Sequence, residues 1–350
     1  MVKSRGWNLL GAVIAFLVGS ACSGAGEVAV QGITTISTSS TTTQATTTVP
    51  SPTTQTSSTP STTTAPSTTL APLATPDPYE PSASEVLRDR KRLGGRFAQA
   101  VLTYGPDDSV ETQLAALAED FAFEPDEDTA EMLAEAMSVG TTNIGTVRYV
   151  QMGGNREDQA SLMVWVDQER MDEPGQRISE SRIVDVRIQR IDDAWRVTRL
   201  ASVGGPRIDR PAELDDVAAS VADHPRITMP DSARWDIYAG HTTDAMLVRM
   251  LEIADITDYS VLVLGRGHPY HVFATDKVSR HSVGQAMDVF AVGGELVVDS
   301  RYEGSPTWTL SRQLFDDGIG SIGSPWAFDG FGGRSFTDDV HQDHLHITSL

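Results

Sequence analysis

Two short stretches hold most of the chain's capacity for chemistry. Ser279-Arg280-His281-Ser282-Val283-Gly284-Gln285-Ala286-Met287-Asp288 sets a histidine and an aspartate seven residues apart, and Asp343-His344-Leu345-His346 adds an aspartate and two histidines. Two imidazoles and one carboxylate form a ligand set that zinc accepts, with a fourth position open to water. A lone His-x-His is more often an ordinary pair than a metal site. Two such groups at opposite ends of one small domain reverse those odds. The expectation is one zinc ion per chain.

The elements around these residues must place them. Residues 260–264 form a short apolar run ended by Gly265-Arg266-Gly267-His268-Pro269, and a polar loop follows to Ser279. Gly284 discourages a long helix, so His281 is expected in the loop or in a brief helical turn. Residues 286–292 and 295–298, joined by Gly293-Gly294, read as a β-hairpin that carries Asp288 on a strand. A helix would also bring positions seven apart to one face, but it would have to bury Gly284 within it. Ser305-Pro306 is a good cap and first-turn pair for a helix to about Phe315. A Gly-rich aromatic stretch with Trp326, Phe328 and Phe331 is expected to wall a cleft. In a terminal strand, His344 and His346 share one face and Leu345 and Ile347 the other.

Upstream, helical spacing is expected over residues 212–221, 231–239 (with Asp231 as N-cap) and 243–254. Gly204-Gly205-Pro206 and Pro211 mark a boundary. Before it, residues 84–104 (weakened by Gly94-Gly95), 110–121 and 129–137 read as helices. Residues 146–152, 160–166, 181–191 and 195–203 read as strands, with Asp192-Asp193 as a hairpin turn. The fold class is therefore α+β, with two small α+β domains at 84–204 and 212–350. The strands of the first contain no His, Cys or paired-carboxylate cluster, and Trp165 and Trp195 fit a core. That domain is assigned no chemistry, and the expectation for residues 84–204 is a surface for an unidentified protein partner.

Bulk composition sets further limits. Among 350 residues, acidic side chains outnumber basic ones 48 to 27, for a net charge of −21. No basic stripe can neutralise a phosphate backbone, so nucleic acid is not an expected partner. Cys22 is the single cysteine, so no intrachain disulfide forms. Lys3 and Arg5, an apolar run from Leu9 to Val18 and the small residues Gly19-Ser20-Ala21 have the order of a secretory signal over residues 1–21. Cys22 after Ala21 resembles a bacterial lipobox, which implies a lipidation site there and an expected anchored lipoprotein of the cell envelope. Ordinary signal cleavage is the alternative. Residues 22–80 form a Ser/Thr/Pro-rich linker unable to bury apolar surface. Extended at roughly 3 Å per residue, it reaches about 100 Å or more.

Ser279-x-His281-x-x-Gly284-x-Ala286-x-Asp288 resembles, position for position, the SxHxxGxAxD signature of the zinc D-Ala-D-Ala carboxypeptidase and murein endopeptidase superfamily (the LAS metallopeptidases), over residues 226–350. The resemblance implies a small antiparallel sheet with flanking helices, and His281, Asp288 and His346 as zinc ligands. It leaves Asp343 (from a DxxH pattern) or His344 (from an HxH pattern) as the catalytic base. Relatives carry a Ser-Gly-Tyr-Arg segment whose Arg grips the substrate carboxylate. Gly265-Arg266-Gly267-His268 stands in its place, so Arg266 or His268, with Ser279, is expected to bind substrate. The activity implied is a zinc-dependent hydrolase cutting peptidoglycan stem peptides, as a D,D-carboxypeptidase or endopeptidase. A non-catalytic zinc-containing wall-peptide-binding lipoprotein is the alternative, since hedgehog-type relatives share the motif. The sequence from Val186 to Val197 resembles the closing hairpin of nuclear-transport-factor-two-like domains.

Overall fold

The computed structural model describes residues 71–172, 176–330 and 332–349. Residues 1–70 lie outside them, and with them the expected signal segment, Cys22 and most of the linker. The described residues belong to one compact unit, Pro66–Leu350. Its secondary structure is mixed helix and sheet, an α+β fold.

The first half opens with three helices, α1 (Arg88–Val101), α2 (Val110–Phe121) and α3 (Glu127–Ala136). Ser109 and Asp126 start the second and third with reciprocal capping boxes. Gly94 and Gly95 do not break α1. A Cβ on Gly94 would lie 2.5 Å from Leu162 Cδ1, and one on Gly95 2.2 Å from the Tyr79 ring, so the two glycines let the helix press against its neighbours. Four long strands follow in an antiparallel meander: β1 (Thr142–Asn155), β2 (Gln159–Asp172), β3 (Gln176–Ile191) and β4 (Ala194–Ser202). Asp192 and Asp193 turn the last hairpin, both with positive φ.

The second half comprises α4 (Asp216–Ala222), β5 (Ile227–Thr228), α5 (Asp231–Tyr238), α6 (Asp244–Ile256) and β6 (Tyr259–Val263). There follow a 3₁₀ turn (His281–Val283), β7 (Ala286–Val292), β8 (Glu295–Leu296), α7 (Pro306–Asp316), β9 (Ile322–Gly323), β10 (Ser335–Phe336) and β11 (Leu345–Thr348). The sheet order is β10-β9-β11-β7-β6-β5, with β8 on β7. Its centre is antiparallel, as expected. Its short edge strands β5 and β10 pair in parallel, which corrects the expectation of a purely antiparallel sheet. Asp231 is not the cap of α5 either. Pro230 takes that position, and the Asp231 carboxylate instead accepts the Ser181 backbone N–H at 2.8 Å.

That last contact crosses between the halves, and it has company. Met287, Val289 and Val292 of β7, whose pairing with β6 is irregular near Phe290, enter a core with α4–α7. The opposite face, with Phe290 and Ala291 together with Leu262 and Val263 of β6, packs against Tyr149, Met163, Trp165 and Ile183 of β1–β3. Tyr149 stacks on Phe290 at 4.6 Å between ring centres, and Trp165 meets Phe290 edge-on at 5.8 Å. The two sheets therefore share one apolar layer. Asp288 and His346 belong to the sheet face that the first half covers.

Candidate functional site: a histidine–aspartate centre between two sheets

The signature around His281 is a turn built to aim one ring. Ser279 Oγ accepts the His281 backbone N–H at 3.3 Å, and the Gly284 N–H closes the turn on the His281 carbonyl at 3.0 Å. Gly284 holds φ +67°, and a Cβ there would lie 1.9 Å from the His241 carbonyl oxygen, so no side chain fits. His281 Nδ1 meets the Leu264 carbonyl at the end of β6. That bond places the proton on Nδ1 and leaves the Nε2 lone pair facing inward.

Strand register supplies the other two groups. β11 runs antiparallel to β7 with His346 directly opposite Asp288. His281 Nε2 lies 3.2 Å from Asp288 Oδ1 and 3.1 Å from His346 Nδ1, and Asp288 Oδ1 and His346 Nδ1 are 2.9 Å apart. Three such atoms at these separations fit one face of a metal tetrahedron, whose edges are about 3.3 Å for ligands at about 2.0 Å. Burial pushes the Asp288 carboxyl up, but His281 and His344 outweigh it and keep Asp288 ionised well below the usual carboxylate range. Burial pulls His346 down to about 4, against the pull of Asp288, so its imidazole is neutral as a ligand must be. His268, His281 and Asp288 also form a group able to hold a metal ion, with ligand atoms all within 4.8 Å of one another.

Beside this triangle stands His344, whose Nε2 is 3.9 Å from Asp288 Oδ2. Its Nδ1 donates to Asp343 Oδ1 at 2.7 Å, which leaves Nε2 as the acceptor nitrogen. Burial lowers the His344 pKa, but Asp288 and then Asp343 raise it above its ordinary value. Asp343 itself is fully buried. Its Oδ2 accepts the Met152 backbone N–H at 3.0 Å and lies 2.6 Å from Lys91 Nζ, while its backbone carbonyl accepts the Tyr149 hydroxyl at 3.0 Å. Lys91, also fully buried, pairs with Glu85 as well. Asp288 Oδ2 accepts Gln151 Nε2 at 2.6 Å. Lys91, Tyr149, Gln151 and Met152 all come from the first half, which the sequence reading left without chemistry. The structure brings these four residues of that half into direct contact with the site.

The centre opens onto a cavity of about 410 Å³ lined by Asp288, His344 and His346, with Met163, Phe273 and Phe336 among its apolar walls. Ser279 and His268 reach it; Arg266 does not. The Arg266 guanidinium faces Asp236 in a neighbouring depression, with Nε 3.4 Å from Asp236 Oδ1 and Nη1 donating to the Pro206 carbonyl at 3.4 Å. His268 Nδ1 bonds to the Pro269 carbonyl at 2.8 Å, and burial, with His281 beside it, keeps the ring neutral. A neutral ring whose N–H is engaged is a poor grip for a carboxylate. The expected aromatic wall is also corrected. Trp326 and Phe328 stack on each other, and Phe328 also meets Trp308 and Phe315 away from the cavity, while Phe331 lies outside the described residues. Lys277 and Arg280 are the cationic residues that line the cavity.

Sequence reading missed Lys91 and Gln151. Gln151, a polar residue between Val150 and Met152 on a buried strand, carried a signal; Lys91, within the charged run Arg88-Asp89-Arg90-Lys91-Arg92, carried none.

Compared with protein-family models, curated proteins and solved structures, the chain matches none.

Proposed function

We propose that this protein is an exported, envelope-tethered zinc peptidase that cuts peptidoglycan stem peptides, as a D,D-carboxypeptidase or endopeptidase. One observation carries the reading: His281 Nε2, Asp288 Oδ1 and His346 Nδ1 converge within 3.2 Å of one another at a cavity, beside a histidine oriented by its own aspartate. Those three residues would hold the ion, as the resemblance of residues 279–288 to the zinc D-Ala-D-Ala superfamily implies. When bound, zinc polarises a scissile carbonyl and brings the pKa of water toward about 7.

The remaining work falls to the chain's own groups. His344 Nε2 takes the proton of the attacking water and returns it to the leaving amine. Asp343 holds the opposite nitrogen and so fixes the tautomer that makes this possible. Asp343 is not the direct base in this reading, because its oxygens are held by Lys91, Met152 and His344 away from the cavity. With Arg266 turned toward Asp236, Lys277 and Arg280 take over recognition of the substrate carboxylate. The tether rests on Cys22 and the long linker read from the sequence.

A second reading has its own observation. His268, as a fourth ligand beside His281 and Asp288, would close the coordination and leave a wall-peptide-binding protein without turnover. Both readings are tested on the full chain beside its Asp288→Ala variant. Zinc content is measured first, and then products from purified peptidoglycan and from a synthetic stem pentapeptide ending in D-Ala-D-Ala. One zinc per chain, lost in the variant, with released D-Ala or a cut cross-link, supports the peptidase. One zinc with no product supports the binding protein, and an absence of zinc overturns both.

A further inference from the structure

The buried polar groups that surround the centre are drawn from a domain whose fold would ordinarily be read as an accessory. Gln151 sits on β1 opposite Met163, within the apolar layer between the two sheets, and it is fully buried. A polar residue in that place lowers stability unless it does something there. Its amide nitrogen donates to Asp288 Oδ2 at 2.6 Å, the oxygen not facing His281 and His346. Lys91 is likewise fully buried on α1, and its ammonium lies 2.6 Å from Asp343 Oδ2. The Met152 N–H, next along the chain from Gln151, holds the same oxygen at 3.0 Å. Asp343 Oδ1 is thereby left to face His344 Nδ1.

We propose that the first domain is a working part of the metal centre. Gln151 is a positioning residue for Asp288, and Lys91, acting through Asp343, is a positioning residue for His344. This rests on the reading of His281, Asp288 and His346 as ligands and His344 as the base. Carboxylate ligands depend on their hydrogen-bond donors for orientation, and outer partners of this kind change metal affinity or activity about 10–100-fold when removed. The Lys91 charge serves the other carboxylate. Without it, a buried Asp343 would draw a proton or water and release the His344 ring from its fixed tautomer.

The experiment uses full-length protein with four variants, Gln151→Leu, Lys91→Met, Asp343→Asn and the double Lys91→Met/Asp343→Asn, each checked for folding by circular dichroism and thermal unfolding. Zinc affinity is measured by chelator competition, which needs no substrate. Gln151→Leu keeps the shape and is expected to weaken zinc binding about 10–100-fold while the fold is retained. Lys91→Met and the double variant are expected to bind one zinc. On the stem pentapeptide, the double variant, in which Asp343 is no longer a buried charge without its cation while Glu85 loses the same partner as in Lys91→Met, is expected to have the same reduced kcat as Asp343→Asn alone, with KM unchanged. The downfield proton resonance of the His344 Nδ1–H, recorded by NMR, is expected to shift in Lys91→Met and to disappear in Asp343→Asn.

Wild-type zinc affinity in Gln151→Leu would overturn the role of Gln151. For Lys91, the overturning result is an unshifted resonance in folded Lys91→Met, or a double variant with kcat restored to the wild-type level. Should no variant, wild type included, cut any peptide, the affinity and NMR arms still decide this proposal while the peptidase reading falls.

Discussion

Asp343 Oδ1 accepts Nδ1 of His344 at 2.7 Å, in a place where neither side chain is more than marginally exposed. The geometry divides two adjacent residues into a holder and an acceptor. His344→Gln is therefore expected to bind one zinc per chain, as wild type does, and to lose about a hundredfold or more in kcat. Zinc analysis beside turnover of the stem pentapeptide reads both. A variant with intact kcat would move proton transfer elsewhere.

Metal removal should register in stability as well as activity. A ligand that binds only the folded state adds stability, about 2.7 kcal/mol at a hundredfold excess over its dissociation constant. Dialysis against a strong chelator is expected to lower the midpoint of thermal unfolding, and zinc is expected to restore it. In His281→Ala, chelator and zinc should leave the midpoint unmoved, since the turn then offers no nitrogen. Scanning calorimetry of the two proteins checks this.

Gly284 offers a test of the turn itself. Its φ of +67° costs a side chain about 1–2 kcal/mol, and the added Cβ would also meet the His241 carbonyl oxygen at 1.9 Å. Gly294, at φ +82° with nothing within 4 Å, carries the first penalty alone. Gly284→Ala is thus expected to destabilise clearly more than Gly294→Ala in chemical unfolding, and to weaken zinc binding where Gly294→Ala does not.

The shared apolar layer predicts how the molecule unfolds. Phe290 is packed between Tyr149 and Trp165, so Phe290→Ala should cost about 3–5 kcal/mol. The two halves are expected to melt together in one cooperative transition, with calorimetric and van't Hoff enthalpies in agreement. Two separable transitions would show that the layer does not couple them. A fragment of residues 206–350 is expected to aggregate, because it would expose Leu262, Val263 and Phe290.

Much of the local structure was legible from the chain. The Gly293-Gly294 turn, the Ser305 cap, whose hydroxyl accepts the Trp308 N–H at 3.0 Å, and the placement of His281 on a turn with Asp288 on a strand all follow from rules acting over a few residues. Contacts across long separations were not legible. Arg266 looked free until Asp236, thirty positions earlier, claimed it. Gln151 reaches Asp288 across 137 positions and Met152 reaches Asp343 across 191, distances over which no periodicity speaks. One clue was passed over. Ala286-Met287-Asp288-Val289-Phe290-Ala291-Val292 is apolar on both alternating faces, as a strand is when layers cover both sides. A second layer was therefore needed, and only the preceding meander was available to supply it.

The pairing of His346 with Asp288 across β11 and β7 ties the chemistry to strand alignment. Sliding β11 by one residue would set Leu345 or Ile347 against Asp288 and turn His346 into the apolar core. A mispaired chain would lose an imidazole from the centre even if its overall shape survived. Bound zinc would then act as a proofreader of assembly, rewarding only the alignment in which residues 58 positions apart meet.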